Sequence, residues 1–176
     1  MRIKFNKEIE FLIKKFLIPE KLLLENRLKR SIKRVDEKEL LILEKIVKKE
    51  LDSVDIGVYR GVYTYRLGNL SKHVHSFEPN PLIFPYLKKN LIKIVKNITL
   101  YNYALSDSEK ELNLKIPKRN NTINKNNYEE KYKLGCATIH KDNTLENEKF
   151  ISYKVKTAKL ENILNSKKIG FIKIDV

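Results

Sequence analysis

Asp55-Ile56-Gly57-Val58-Tyr59-Arg60-Gly61 joins a short apolar run, Ser53 to Ile56, to a stretch of helical character, Val62 to Leu70. A glycine loop between strand and helix sets backbone N–H groups and the positive end of a helix at the carboxyl edge of a sheet. Gly57 can take positive φ and turn the chain with no side chain in the way. Gly61 lets the helix come close to the sheet and to a ligand. A dinucleotide loop has the pattern G-x-G-x-x-G, with its second glycine against the pyrophosphate. Here that position is Tyr59, and three residues separate Gly57 from Gly61. D-x-G-x-x-x-G suits instead a ligand with a sulfonium and an amino-acid tail, Asp55 facing the positive methionine moiety or a water beside it. A plain glycine turn with no ligand would use the same residues. If the loop does bind, Gly57 and Gly61 should line one pocket with Asp55, and Gly61→Val should block the ligand more than it destabilises the domain.

The next strand spans Lys72 to Phe77 and ends at Glu78. An acidic residue there reaches two adjacent ribose hydroxyls. Asn80 and Pro81 form a capping pair for the following helix, whose apolar face is Leu82, Leu87, Leu91, Ile94 and Val95. Pro85 moves the expected helix start toward Phe84. A third strand runs from Ile98 to Ala104, and Ser106 and Asp107 follow it. An acid beside a hydroxyl at that strand end could hold an adenine amino group, and a Ser/Asp turn would look the same.

Leu112, Leu114 and Ile116 alternate as an edge strand. Residues 117–150, rich in Asn, Lys and Glu, read as a long polar loop. Ile151 to Val155 returns to strand, Leu160 to Leu164 is a short helix, and Phe171 to Asp175 is a last apolar strand. Strands alternating with helices imply an α/β fold, with a mostly parallel sheet covered by helices on both faces.

Upstream, residues 1–50 read as a basic helical segment, and 51–176 as the sheet domain. Phe5, Ile9, Leu12, Ile13 and Phe16 share a helical face, and Pro19 should kink or end that helix. A helix over 37–50, capped by Asp36, should bury Leu40, Leu41, Leu43, Ile46 and Val47.

DIGVYRGVYT at 55–64, HSFEPNP at 75–81, ALSD at 104–107, VKTAKLENIL at 155–164 and FIKIDV at 171–176 resemble, in this order, the motifs of FkbM-family methyltransferases. The resemblance covers about residues 50–176 and implies a Rossmann-like methyltransferase fold with an N-terminal helical extension. It also implies S-adenosylmethionine as donor and O-methylation of a sugar, glycan or related small-molecule hydroxyl. The donor site it implies comprises Asp55, Gly57, Gly61, Glu78, Asn80, Ser106 and Asp107. Asp175 is the nearby candidate for a general base. Val58 and Tyr59 stand where the family has a small residue and Asn. The family motif at FIKIDV continues into Glu-Gly and further strands, so this chain reads as an incomplete domain. An uncovered sheet edge, self-association, weak donor binding and no turnover are the matching expectations.

Composition bounds the alternatives. The chain has 176 residues, 37 basic against 22 acidic, and a formal charge of +15. That charge leaves open a second reading, a basic nucleic-acid- or membrane-surface-binding protein that shares the fold without catalysis. The excess is mostly Lys, travelling with Asn and Ile, and the Tyr residues are scattered. Both features favour compositional drift over a nucleic-acid groove. Residues 1–35 are the expected site of any peripheral membrane contact. No apolar run has the length of a transmembrane helix. Cys136 is the sole cysteine, so no intrachain disulfide forms and a cytoplasmic setting is expected. It reads as an inert thiol. His73 and His75 read as a partly exposed strand pair with no third metal ligand at a compatible spacing.

Overall fold

A computed structural model describes residues 17–34, 38–119, 131–139 and 149–175. Phe5, Ile9, Leu12, Ile13, Phe16, Asp36 and most of 117–150 lie outside them. Strand β1 (Asp52–Ile56) runs through the glycine loop into helix α3 (Val62–Gly68). Strand β2 (Val74–Phe77) is followed by α4 (Phe84–Ile94), and β3 (Ile98–Tyr101) comes next. Far along the chain, β7 (Ile169–Ile174) returns to pair with β1. All three ladders are parallel, and the strand order is β3-β2-β1-β7. The chain steps from β1 out to β3 on one side and later returns to the other side of β1. The crevice between β1 and β7 is therefore the switch point of a doubly wound, Rossmann-like sheet.

The registers fix the two faces, since parallel partners side by side point the same way. Ser53, Asp55, Val74, Ser76, Ile98, Leu100, Phe171 and Lys173 share one face. Helices α1 (Glu20–Arg34), α3 and α4 cover it. Helix α1 starts directly after Pro19, whose carbonyl accepts from the N–H groups of Leu22 and Leu23. Its Leu24 and Leu28, one turn apart, are fully buried. Burial of each contributes about 1.5–3 kcal/mol, so helix α1 is part of the core. On the second face Val54, Ile56 and Phe77 pack on α5 (Leu160–Leu164) through Leu164. Among the described residues cover there is thin, and toward the β7 edge Ile172 and Ile174 are exposed.

The third strand is shorter than its apolar run. It ends at Tyr101, and Ala104–Leu105, strand β4, joins a second sheet with order β4-β6-β5. There β5 (Glu111–Pro117) pairs antiparallel with β6 (Phe150–Ala158), and β4 pairs parallel with β6. The described part of the expected polar loop is not all solvated. Tyr132 and Leu134 are buried, Leu134–Cys136 forms a 3-10 turn, and Thr138 bridges Lys115.

Of the helix expected over 37–50, the structure keeps a 3-10 turn at Lys38–Leu41 and one α-helical turn, α2 (Leu43–Ile46). Only Leu40 and Leu43 of the expected stripe are buried; Leu41 and Ile46 are exposed. Helix α4 begins at Phe84 with Pro85 in its first turn, where a missing N–H costs nothing.

Candidate donor site at the glycine loop

Gly57 has φ +84 and Gly61 φ +81, the left-handed region that favours glycine. A Cβ on Gly57 would lie 2.0 Å from the Asp175 carbonyl oxygen, so β1 and β7 approach here with no room for a side chain. Gly61 serves differently. Its Cβ would point at Leu91 Cδ2 of α4, 3.0 Å away, with Leu87 behind. It seats the loop on the helix layer, so a substitution there strikes the core first. That reverses the balance expected from the sequence.

Glu78 joins β2 to the loop. It is 5% exposed; the Tyr59 N–H donates to Oε2 at 2.7 Å and the Asn80 N–H to Oε1 at 2.9 Å. Burial pushes its carboxyl above the usual carboxylate range, and these two N–H groups oppose the shift. Tyr59 holds φ +47, a strained value for a non-glycine residue, and this orients its N–H toward Glu78. The Asn102 side chain donates to the Glu78 carbonyl at 2.8 Å, tying the end of β3 to the same corner. Asn80 caps its own turn by accepting from the Leu82 N–H, and donates to the Leu134 carbonyl. Gly135 lies against the Tyr59 ring, which stacks on the Arg60 guanidinium 5.1 Å away. The 131–139 segment therefore covers one side of the loop.

Asp55 is fully buried. Its Oδ2 accepts from the Thr64 hydroxyl at 2.6 Å, and Thr64 in turn meets Ser76 at 3.0 Å. Among the described residues its Oδ1 has no hydrogen-bond partner, although Lys173 Nζ lies 3.4 Å away as a counter-ion. Burial raises the Asp55 pKa, opposed by Lys173 and Thr64. Asp55 thus sits beneath the loop, and any effect on a ligand passes through Lys173, Thr64 and the loop.

Asp55, Gly57, Gly61, Glu78 and Asn80 converge on this one corner. Ser106 and Asp107 belong to another cluster beside β4. The hydroxyls of Ser106 and Ser108 donate to Asp107 Oδ1, holding its pKa down, and the Ser106 N–H bonds the Ala158 carbonyl. The Asp175 side chain is 77% exposed at the end of β7, with Oδ2 3.5 Å from Lys173 Nζ.

Sequence reasoning passed over Lys173, Asn102 and the Tyr59 N–H. Lys173 lies between Ile172 and Ile174 in what reads as an apolar strand, so nothing local marks its partner across the ladder.

A strand-end acid is thus bonded to the glycine loop beside the switch point of the sheet. The sequence model of the methyltransferase FkbM domain matches residues 55–176, which start at Asp55 and end past β7. The chain belongs to the FkbM methyltransferase family. Outside the FkbM model, the chain has no match among curated proteins. Among solved structures, an rRNA methylase from Streptococcus thermophilus is similar at 22% identity and TM-score 0.35, over 38% of this chain and 41% of that one. A Streptococcus mutans protein solved in complex with SAH is similar at 21% identity and TM-score 0.35, over 38% of each chain. Precorrin-6y C5,15-methyltransferase from Geobacter metallireducens aligns over 66% of this FkbM chain and 84% of its own, at 12% identity and TM-score 0.32. The aligned part thus spans less than half the length of the first two.

The two histidines lie elsewhere, on the second sheet face. His75 is buried, not partly exposed, between Asp52 Oδ2 and the Tyr101 hydroxyl, each 3.2 Å from a ring nitrogen. His73 Nε2 meets the Thr99 hydroxyl at 2.9 Å. Among the described residues no group of three or more His, Cys, Asp or Glu could hold a metal ion, and no helix is long and apolar enough to cross a membrane. Cys136 is exposed.

Proposed function

We propose that this chain binds S-adenosylmethionine across the carboxyl ends of β1 and β2, and that its FkbM domain methylates a hydroxyl of a sugar, glycan or related small molecule. The supporting observation is Glu78. Its carboxylate is buried and ordered, yet each oxygen is bonded by a single N–H, so both keep acceptor capacity for a pair of ribose hydroxyls. The chain's residues fit such a ligand. Gly57 lets the ends of β1 and β7 close up beneath the loop, and Asp55 Oδ1 with Lys173 gives that loop a polar base.

When bound, S-adenosylmethionine supplies an electrophilic methyl group on a sulfonium. Glu78 would orient the ribose, while Ser106 and Asp107 are our choice for the adenine amino group. The turn at Leu134–Cys136, packed on Tyr59 and Asn80, would help keep water from the crevice. Asp175, exposed beside Gly57, is our choice to take the proton of the acceptor hydroxyl. Positioning in this frame supplies much of the rate.

Calorimetric titration with S-adenosylhomocysteine tests the donor half, and incubation with labelled S-adenosylmethionine over a panel of sugars tests the acceptor half. Saturable binding that Glu78→Ala weakens by about 1.5–3 kcal/mol supports the reading. No binding at millimolar ligand would sink it.

A further inference from the structure

Lys173 is the residue of this corner for which no role has yet been assigned. It comes from β7, yet its ammonium donates to the Gly57 carbonyl at 2.9 Å, in the loop after β1. It lies 3.4 Å from Asp55 Oδ1, 3.5 Å from Asp175 Oδ2 and 4.8 Å from the centre of the Tyr63 ring on α3. One side chain therefore spans the switch-point crevice and touches both strands, the loop and the helix. Its side chain is 12% exposed, so water does little to screen it.

We propose that Lys173 is a positioning residue of the donor site, whose ammonium pins the Gly57 carbonyl and balances Asp55 so that the glycine loop keeps the shape that presents Tyr59 to Glu78. The inference rests on the donor reading above and deepens it. The geometry leaves few substitutes. Asp55 has no exposure, and Thr64, itself held by Ser76, offers it a hydroxyl but no charge. The other charge acting on it is the carboxylate of Glu78, which repels it. Without Lys173, a buried carboxylate would stand unpaired beneath the loop, and such a group either gains a proton or forces its surroundings open. Burial already raises the Asp55 pKa, which makes proton uptake the easier escape. A loop that depends on this ammonium should lose its binding shape as Asp55 ionises.

The test is calorimetric titration of S-adenosylhomocysteine at pH 5.5, 7 and 8.5, with thermal melts to verify folding. The proteins are the unsubstituted chain, Lys173→Met and the double variant Asp55→Asn/Lys173→Met. Each affinity is divided by that of the unsubstituted chain at the same pH; loss of Lys173 also raises the Glu78 carboxyl, which weakens binding toward acid and so opposes the recovery expected there. Lys173→Met should bind about tenfold more weakly at pH 8.5 and recover most of the loss at pH 5.5. The double variant has no buried charge to expose, so it should fold, bind about threefold more weakly and show a flat ratio. If Lys173→Met does not fold, the double variant decides alone: a reduced, pH-independent ratio supports the proposal and full affinity overturns it. A folded Lys173→Met with a ratio of one at every pH also overturns it, while leaving the donor reading intact. No binding by the unsubstituted chain removes the donor reading and this inference together.

Discussion

The backbone N–H of Tyr59 donates to Glu78 Oε2 at 2.7 Å, so the loop after β1 and the end of β2 form one hydrogen-bonded unit. Glu78 is therefore structural before any ligand arrives. Glu78→Ala leaves the N–H groups of Tyr59 and Asn80 without their acceptors, at about 1–3 kcal/mol each where they stay buried. The variant should melt earlier as well as lose about 1.5–3 kcal/mol in S-adenosylhomocysteine affinity. Glu78→Gln, which keeps one carbonyl acceptor, should recover part of the stability and little of the affinity. Equal recovery of both in melts and calorimetry would contradict a charge-assisted contact to the ribose.

Gly61→Ala should act on the fold. Positive φ costs an L-residue about 1–2 kcal/mol, and Leu91 Cδ2 must give way as well. At roughly 2–4 °C per kcal/mol for a chain of this size, thermal melting should show a drop of several degrees. Affinity of the folded fraction for S-adenosylhomocysteine should stay within about twofold. Weak binding with an unchanged melt would restore Gly61 to the pocket.

Stability should fall with acid on account of His73. Burial, with His75 beside it, lowers its pKa below the ordinary 6.5. Below 6.5 the unfolded chain takes up a proton that folded His73 resists, so ν_U exceeds ν_N and stability rises with pH through that window. The gain is complete above 6.5 and is lost as pH falls toward the folded value. His73→Gln should flatten this part of the melt-against-pH profile. Asp55 and Glu78, with raised values, lose stability as pH rises above the normal carboxylate range, so the comparison of the two proteins isolates the histidine.

The charge of +15 gives a fourth expectation. S-adenosylhomocysteine affinity should change less than about twofold between roughly 50 and 200 mM salt, because the ligand releases no counterion atmosphere. A steep log–log slope, in a filter-binding assay with RNA or in sedimentation with anionic vesicles, would show that the lysines serve a polyanion.

The run from strand to glycine loop to helix was legible because three local signals agree: apolar strand, positive-φ residues and helical period. The strand-end acid followed from its neighbours in the same way. The fate of Ala104–Leu105 was not legible, because its partner Thr157–Ala158 lies far along the chain and no local period encodes the change of sheet. The 37–50 segment misled because its apolar residues fit a helical stripe, yet the core takes only Leu40 and Leu43. Lys173 was hidden by its setting: Ile172 and Ile174 flank it as a strand, and only the ladder with β1 sets it opposite Asp55.

The bond from Lys173 to Gly57 joins residues 116 apart in sequence. A growing chain emerges amino end first, so β1, the loop and α3 leave the ribosome long before β7 exists. Closing so wide a loop carries an entropy cost that is recovered only when β7 docks. The buried carboxylate of Asp55 meanwhile has no cation from β7, and an early intermediate can hold it only hydrated or protonated. Acquisition of a binding-competent glycine loop should therefore be among the last events of folding, timed by the arrival of the far strand and not by the collapse of the near ones.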